Sequence, residues 1–198
     1  MTVIGLTGPT GAGKTTALRV LEDMGFTAVD CDALYYELLK TDMSLRRQLQ
    51  DTFGNVFLPD GRLDRPALGR LVFGDKKALD KLNAIVFPAV TAAVREKISV
   101  CSGRGLVIDA INLIESGLGG LCDCTIAVTA PPEVRIRRIM ARDGISEDYA
   151  RSRVAAQKDD RYYRRHCTLV LENRAGNRRE FEKLIQEFFG DFLETMEV

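Results

Sequence analysis

Residues 8–15 read Gly-Pro-Thr-Gly-Ala-Gly-Lys-Thr and match the phosphate-binding loop (P-loop) pattern G-x-x-x-x-G-K-[ST] at every fixed position. Glycines let backbone N–H groups surround an anion, and the N-terminus of a following helix adds partial positive charge. Lys14 can contact the β- and γ-phosphates of a nucleotide, and the Thr15 hydroxyl can ligate Mg²⁺. The residues expected to hold the phosphates are Gly11, Ala12, Gly13, Lys14, Thr15 and Thr16. The alternative is a glycine-rich turn before a helix, with Lys14 as an ordinary surface charge.

Two carboxylates, Asp30 and Asp32, follow a second apolar run at residues 26–29. The carboxyl end of a parallel strand is also where the P-loop lies, so these side chains are expected near the phosphates. A carboxylate there can accept a proton from an acceptor hydroxyl or help to hold Mg²⁺. The alternative is that both only cap the next helix. If the strand stays extended, the two side chains share a face, and Asp32 is the one expected to meet the acceptor.

A strongly basic segment, residues 133–142, forms the third candidate group. Its arginines are Arg135, Arg137, Arg138 and Arg142. Arginines stabilise the negative charge of a transferring phosphoryl group, and a helix carrying them over the P-loop would act as a lid that excludes water. Arg138 and Arg142 are four residues apart on one helical face, so we expect them to contribute more than Arg135. The alternative is an exposed, solvated helix face.

Short apolar runs predict the strands that position these groups. They lie at residues 3–6, 26–29, 106–108, 124–128 and 169–171. The strand–turn–helix–strand order at the start of the chain is a βαβ unit, which requires parallel strands. We therefore predict an α/β protein, a P-loop three-layer α/β/α fold with a parallel five-stranded sheet.

The segment from 33 to 100 contains only helical patterns and a turn at 59–61. The helices are expected near 33–39, 45–53, 65–73, 76–84 and 88–99. We predict a nucleotide-binding core at residues 1–32 and 101–198, a helical insert at 33–100 that binds the acceptor, and a lid at 133–165 within the core.

Composition excludes several classes of protein. The 198 residues contain 28 Lys plus Arg and 28 Asp plus Glu, and this zero net charge argues against a non-specific nucleic-acid binder. No signal peptide and no membrane-spanning run is recognised, so a cytoplasmic protein without nucleic-acid or membrane partners is expected. Five cysteines and a single histidine do not form a zinc pattern. The oligomeric state stays open.

Taken together, the P-loop, the two aspartates and the basic segment resemble those of the dephospho-CoA kinase family, and the resemblance extends from residue 4 to about residue 176. The P-loop alone is shared with many nucleoside monophosphate kinases, but the other matches are more specific. The matching segments and residues are 4–16, the D-x-D at 30–32, the G-x-L-x-R at 61–65, 82–90, 109–115 against D-x-P-L-L-F-E, Arg138, Arg142, Gln157 and Asn173. The chain departs from the family pattern at Phe87, where His is usual, and at Asn112, where Pro is usual.

The resemblance implies transfer of the γ-phosphoryl group of ATP, with Mg²⁺, to the ribose 3′-hydroxyl of dephospho-CoA. In that interpretation Asp32 is the general base or orients the acceptor, although the residues leave open whether Asp30 or Asp32 takes the proton. Lys14, Arg138 and Arg142 act on the phosphates. Arg65 and Asp109 bind the acceptor, and Asn173 lies near the adenine.

Two other functions remain possible at this point. One is another small-molecule kinase of the same architecture, acting on nucleosides, nucleotides or shikimate-like acceptors, which would lack the paired patterns at 61–65 and 109–115. The other is a GTP-dependent switch. Such switches usually carry the guanine-reading pattern Asn-Lys-x-Asp, which is absent from this sequence.

Overall fold

Five parallel strands form one sheet in the computed structural model, which describes residues 1–196. The strands are β1 (Thr2–Thr7), β2 (Phe26–Asp30), β3 (Gly105–Asp109), β4 (Cys124–Thr129) and β5 (Leu169–Glu172). Their order in the sheet is β2-β3-β1-β4-β5. The central strand β1 pairs with β3 in the register Val3↔Leu106 and with β4 in the register Leu6↔Ile126. The predicted fold class and all five predicted strands are confirmed.

Helices connect these strands. They are α1 (Lys14–Asp23), α2 (Cys31–Thr41), α3 (Met43–Phe53), α4 (Arg65–Val72), α5 (Lys76–Val100), α6 (Pro132–Asp143), α7 (Glu147–Ala155), α8 (Asp160–His166) and α9 (Arg178–Met196). The chain divides into two compact units, one made of Met1–Ala28 with the residues from Cys101 onward, and the other of Val29–Val100. In the part of the chain that the structure describes, no helix is long and apolar enough to cross a membrane.

The first unit is built around the sheet. Strands β1 and β4 are buried along nearly their whole length, as expected for parallel strands covered on both faces. Helix α1 packs against α9 on the sheet, and both contribute to one apolar cluster with the strands. Leu21 of α1 and Phe189 of α9 are fully buried there. The sheet and these two helices therefore fix the loop between β1 and α1.

The second unit has its own apolar core. Helices α2 to α5 bury one cluster, whose fully or nearly fully buried members include Leu45, Leu49 and Leu68. The prediction of separate helices at 76–84 and 88–99 is wrong, because α5 runs without interruption from Lys76 to Val100 with Pro88 inside it. An interior proline removes one backbone hydrogen bond. Val86 and Ala89, on either side of Pro88, pack against this core, and we attribute the continuity of the helix to such packing.

The junction between β2 and α2 also differs from expectation. The strand ends at Asp30, whose carboxylate caps α2 by accepting from Ala33 N at 3.0 Å. Asp32 therefore lies in the first turn of a helix and not at the end of an extended strand. The expected sharing of one strand face by Asp30 and Asp32 is wrong, because the chain turns helical at Cys31. For Asp30 the capping alternative is correct.

Candidate active site

The P-loop lies between the end of β1 and the start of α1. Gly13 immediately precedes α1 with φ of +114°, in the left-handed region that L side chains rarely adopt. A Cβ atom at Gly13 would lie 2.6 Å from Asn173 Nδ2 and 2.8 Å from the ring of Phe181. Glycine at this position is required by both backbone conformation and close packing.

A cavity of about 330 Å³ opens against the P-loop. Its wall includes Lys14 and Thr15 of the loop together with Ile111, Arg138 and Arg142. The Lys14 ammonium is ion-paired with Asp109 at the end of β3, and the two side chains are only 19% and 13% exposed. Three cationic side chains thus surround one small cavity, an arrangement suited to a polyphosphate.

Arg138 on α6 braces the P-loop through its backbone. Its Nη1 donates to the carbonyl oxygens of Gly11 and Ala12, both at 3.2 Å, and its Nη2 donates to Asn173 Oδ1 at 3.3 Å. Burial, and secondarily the nearby charge of Arg137, lower the pKa of Arg138. The planar guanidinium is suited to such multiple fixed bonds. Arg138 therefore holds the loop in addition to lining the cavity.

Arg142 has a different environment one turn later. Its Nε donates to Asp143 Oδ1 at 2.6 Å, and its side chain is 58% exposed. Asp143 also pairs with Arg153 at 2.6 Å. Hydrogen bonds from Arg142, and then from Arg153, lower the pKa of Asp143 from 3.8 to about 2. Arg142 thus lines the cavity while its guanidinium is bonded to the carboxylate of the next residue.

Asn173, directly after β5, is buried at 2% exposure. Its Nδ2 donates to the Ala12 carbonyl at 2.8 Å, and its Oδ1 accepts from Arg138. The amide therefore supports the P-loop from the residue that follows the edge strand β5. Its expected place near the adenine stays a prediction.

Arg135 and Gln157 contact the P-loop more extensively than their sequence context predicts. Arg135 is 5% exposed, and its Nε donates to the Thr10 carbonyl at 3.0 Å while its Nη2 donates to Gln157 Oε1. Gln157 also accepts from Thr10 N at 3.1 Å and donates to Thr10 Oγ1 at 2.9 Å. A signal was present, since Arg135, Ile136 and Ile139 share the buried face of α6. Helical spacing with the two isoleucines indicated burial of Arg135.

The second unit contains the remaining predicted residues, Asp32 and Arg65. Arg65 begins α4 and its guanidinium carbon lies 3.7 Å above the ring centre of Tyr36. Arg65 and Tyr36 line a cavity of about 910 Å³, and Lys40 and Arg46 line it as well. Asp32 lies in the first turn of α2. The structure thus brings Lys14, Asp109, Arg138, Arg142 and Asn173 together in the first unit and places Asp32 and Arg65 in the second.

A parallel sheet whose first strand leads into a P-loop, with a lysine and two arginines around the phosphate cavity, defines a P-loop kinase. The family model described as dephospho-CoA kinase matches residues 2–178. A dephospho-CoA kinase from Moorella thermoacetica is 38% identical over 176 residues, which cover 86% of this chain and 83% of that relative. The chain belongs to the dephospho-CoA kinase family.

Solved structures share the fold of this chain. The crystal structure of TT1252 from Thermus thermophilus has a TM-score of 0.80 and 34% sequence identity, covering 98% of this chain and 97% of that one. A shikimate kinase from Bacteroides thetaiotaomicron has a TM-score of 0.59 at 14% identity and covers 100% of this chain and 99% of its own. The second similarity concerns the fold alone.

Proposed function

We propose that this protein transfers the γ-phosphoryl group of ATP to the ribose 3′-hydroxyl of dephospho-CoA, giving coenzyme A and ADP. The observation that carries the proposal is the family match over residues 2–178 in a chain whose P-loop is intact and surrounded by cations. Another small-molecule kinase of this fold is not favoured, because the family model over residues 2–178 and relatives at 37–38% identity are all described as dephospho-CoA kinases.

The phosphate side of the reaction rests on Lys14, Arg138 and Arg142. Phosphoryl transfer spreads negative charge over the equatorial oxygens, and catalysis consists mainly of positioning and electrostatic stabilisation. Lys14 is the proposed ligand of the β- and γ-phosphates. Arg138 holds the loop and faces the same cavity, and Arg142 reaches the phosphates by leaving Asp143. Asp109, bonded to Lys14, fixes the direction of the ammonium on the acceptor side.

The residues at the P-loop fit a magnesium ion bound with the nucleotide. Thr15 is exposed on the cavity wall and offers a hydroxyl oxygen, the hard type of ligand that Mg²⁺ prefers. Within the residues that the structure describes, no cluster of three or more His, Cys, Asp or Glu side chains forms a metal cage. Mg²⁺ commonly binds through one or two protein oxygens plus substrate phosphates. Its charge would neutralise the phosphates, while Thr15 supplies the protein ligand.

The acceptor side rests on the second unit. Asp32 is the proposed base that takes the proton of the ribose hydroxyl, or the group that orients it. Arg65, held against Tyr36, is the proposed cationic contact to the acceptor, and the cavity of about 910 Å³ beside it is large enough for part of a long anionic substrate. Phe87, within α5 of this unit, and Asn112, in the turns after β3 of the first unit, are the two departures from the family pattern that we expect to affect acceptor binding.

The decisive experiment incubates the purified protein with ATP, Mg²⁺ and dephospho-CoA and identifies coenzyme A by mass spectrometry and ADP by a coupled assay. Nucleosides, nucleoside monophosphates and shikimate serve as competing acceptors in parallel reactions. We expect turnover with dephospho-CoA far above that of any other acceptor. Preferred phosphorylation of another acceptor would overturn the assignment of the substrate. A cytoplasmic location stays a prediction.

A further inference from the structure

Arg135 carries a buried positive charge beside the P-loop. It is 5% exposed, and in the described part of the chain it forms hydrogen bonds but no ion pair with a carboxylate. Burial lowers the pKa of its guanidinium, as expected for a charge held away from water. Burying a charge without a counter-ion is costly, so its retention at this position calls for a compensating group.

The carboxylates that line the same cavity as Arg135 are engaged elsewhere. Glu133, Asp159 and Asp160 line a cavity of about 450 Å³ together with Arg135. Glu133 is paired with Arg151 at 3.0 Å, and Asp160 is paired with Arg164 at 2.5 Å. Asp159 caps α8 by accepting from the backbone of Tyr162 at 2.9 Å. Each of these acids therefore already satisfies another group, and the charge of Arg135 is not balanced by a direct partner.

The position of this charge is fixed by its neutral partners. Arg135 binds the Thr10 carbonyl and the Gln157 side chain, and Gln157 in turn holds the backbone and hydroxyl of Thr10. The α6 backbone approaches the loop so closely that a Cβ atom on Gly11 would lie 3.0 Å from the Arg135 carbonyl oxygen. The guanidinium is consequently held against the loop at a constant distance.

We propose that Arg135 is a positioning residue of the phosphate site, whose buried charge is balanced by the nucleotide phosphates. Gln157 is its uncharged partner, which fixes Thr10 without neutralising the guanidinium. The inference rests on the proposed function only in requiring that a nucleotide bind at the P-loop. A glutamate in place of Gln157 would supply the missing counter-ion within the protein and remove the advantage of binding phosphates.

The test compares Gln157→Glu with Gln157→Met in the full-length protein. ADP and ATP affinities are measured by calorimetry, and thermal unfolding is followed with and without nucleotide. Gln157→Glu is expected to keep or raise the melting temperature of the nucleotide-free protein, because it pairs a buried charge. It is also expected to weaken ADP binding on the order of tenfold, as for one charge acting across a partly buried site. Gln157→Met loses the hydrogen bonds without adding charge and should weaken ADP binding less.

Arg135→Met provides the second measurement, with Arg137→Met on the exposed face of α6 as its matched control. Arg135→Met should reduce the stabilisation that ADP gives to the protein without an equal loss of nucleotide-free stability, whereas Arg137→Met should change both little. Equal ADP affinities of Gln157→Glu and the wild type would overturn the inference. So would equal losses in Gln157→Glu and Gln157→Met, or an Arg135→Met variant too unstable to fold without nucleotide. A wild type that binds ADP but does not phosphorylate dephospho-CoA would refute the proposed function alone.

Discussion

Replacing Asp32 by asparagine tests whether Asp32, and not Asp30, is the catalytic base at the start of α2. The substitution preserves size and removes the basicity, so kcat should fall by about 10²–10⁴-fold, the range for general-base chemistry. ATP affinity should change little, since Lys14 and Arg138 lie in the other unit. Stability should fall only by about 0.3–1 kcal/mol, the contribution of a charge in the first turn of a helix.

Asp30 provides the contrasting pair of variants. Its carboxylate accepts from Ala33 N at 3.0 Å, so Asp30→Ala should lower the free energy of unfolding by about 1 kcal/mol, the usual cost of losing an N-cap. Asp30→Asn retains a capping oxygen and should be nearly as stable as the wild type. Both Asp30 variants should keep kcat close to that of the wild type.

The assays are steady-state kinetics with dephospho-CoA, nucleotide titration, and urea unfolding of all three variants. A wild-type kcat for Asp32→Asn together with a collapse for Asp30→Asn would refute the assignment of the base. Full activity of both asparagine variants would show that catalysis needs no carboxylate at this turn.

The other predictions concern the phosphate cavity. Lys14→Ala should retain the wild-type melting temperature within a few degrees but lower turnover by about 10²-fold or more, because it removes charge stabilisation of the transferred group; near wild-type turnover in a coupled ADP assay would exclude the P-loop role. Arg138→Lys should weaken ATP binding more than Arg142→Lys, because only the Arg138 guanidinium donates to two carbonyl oxygens of the P-loop. Calorimetric ATP affinities of both variants check this order. The ion pairs of Asp143, whose folded pKa is about 2, should stabilise the protein above its usual pKa of 3.8 and fade as the pH falls toward 2. The difference in melting temperature between wild type and Asp143→Asn should therefore shrink on acidification, and a constant difference would contradict the assigned pairs.

Much of the first unit could be predicted from local patterns. Apolar runs of β-branched residues are buried on both faces of a parallel sheet, and the P-loop pattern requires a strand before it and a helix after it. The short helix α8 was missed because its sequence is almost entirely polar and buries only Tyr163. Its start depends on Asp159 as an N-cap. An N-cap residue alone does not predict a helix when no apolar stripe follows it.

The site could be predicted as a set of residue types but not as a network. The i, i+4 spacing correctly grouped Arg138 with Arg142, and both line the cavity. It did not reveal that Arg138 braces backbone carbonyls or that Arg142 is bonded to its own neighbour. Such contacts depend on tertiary packing between segments distant in sequence, as in the bond from Asn173 to the P-loop, and local periodicity contains no information about them.

The support of the P-loop by residues near the end of the chain has a consequence for folding. Asn173 binds Ala12 across 161 positions of sequence, and the ring of Phe181 packs where a side chain of Gly13 would project. Contacts of such high sequence separation form late, because closing long loops costs entropy before any contact repays it. During synthesis, the helical unit of residues 29–100 can bury its own core early, whereas the P-loop obtains its last supports only after β5 and α9 have emerged from the ribosome. A chain truncated before residue 173 would thus retain the complete P-loop sequence and lack the packing that shapes it.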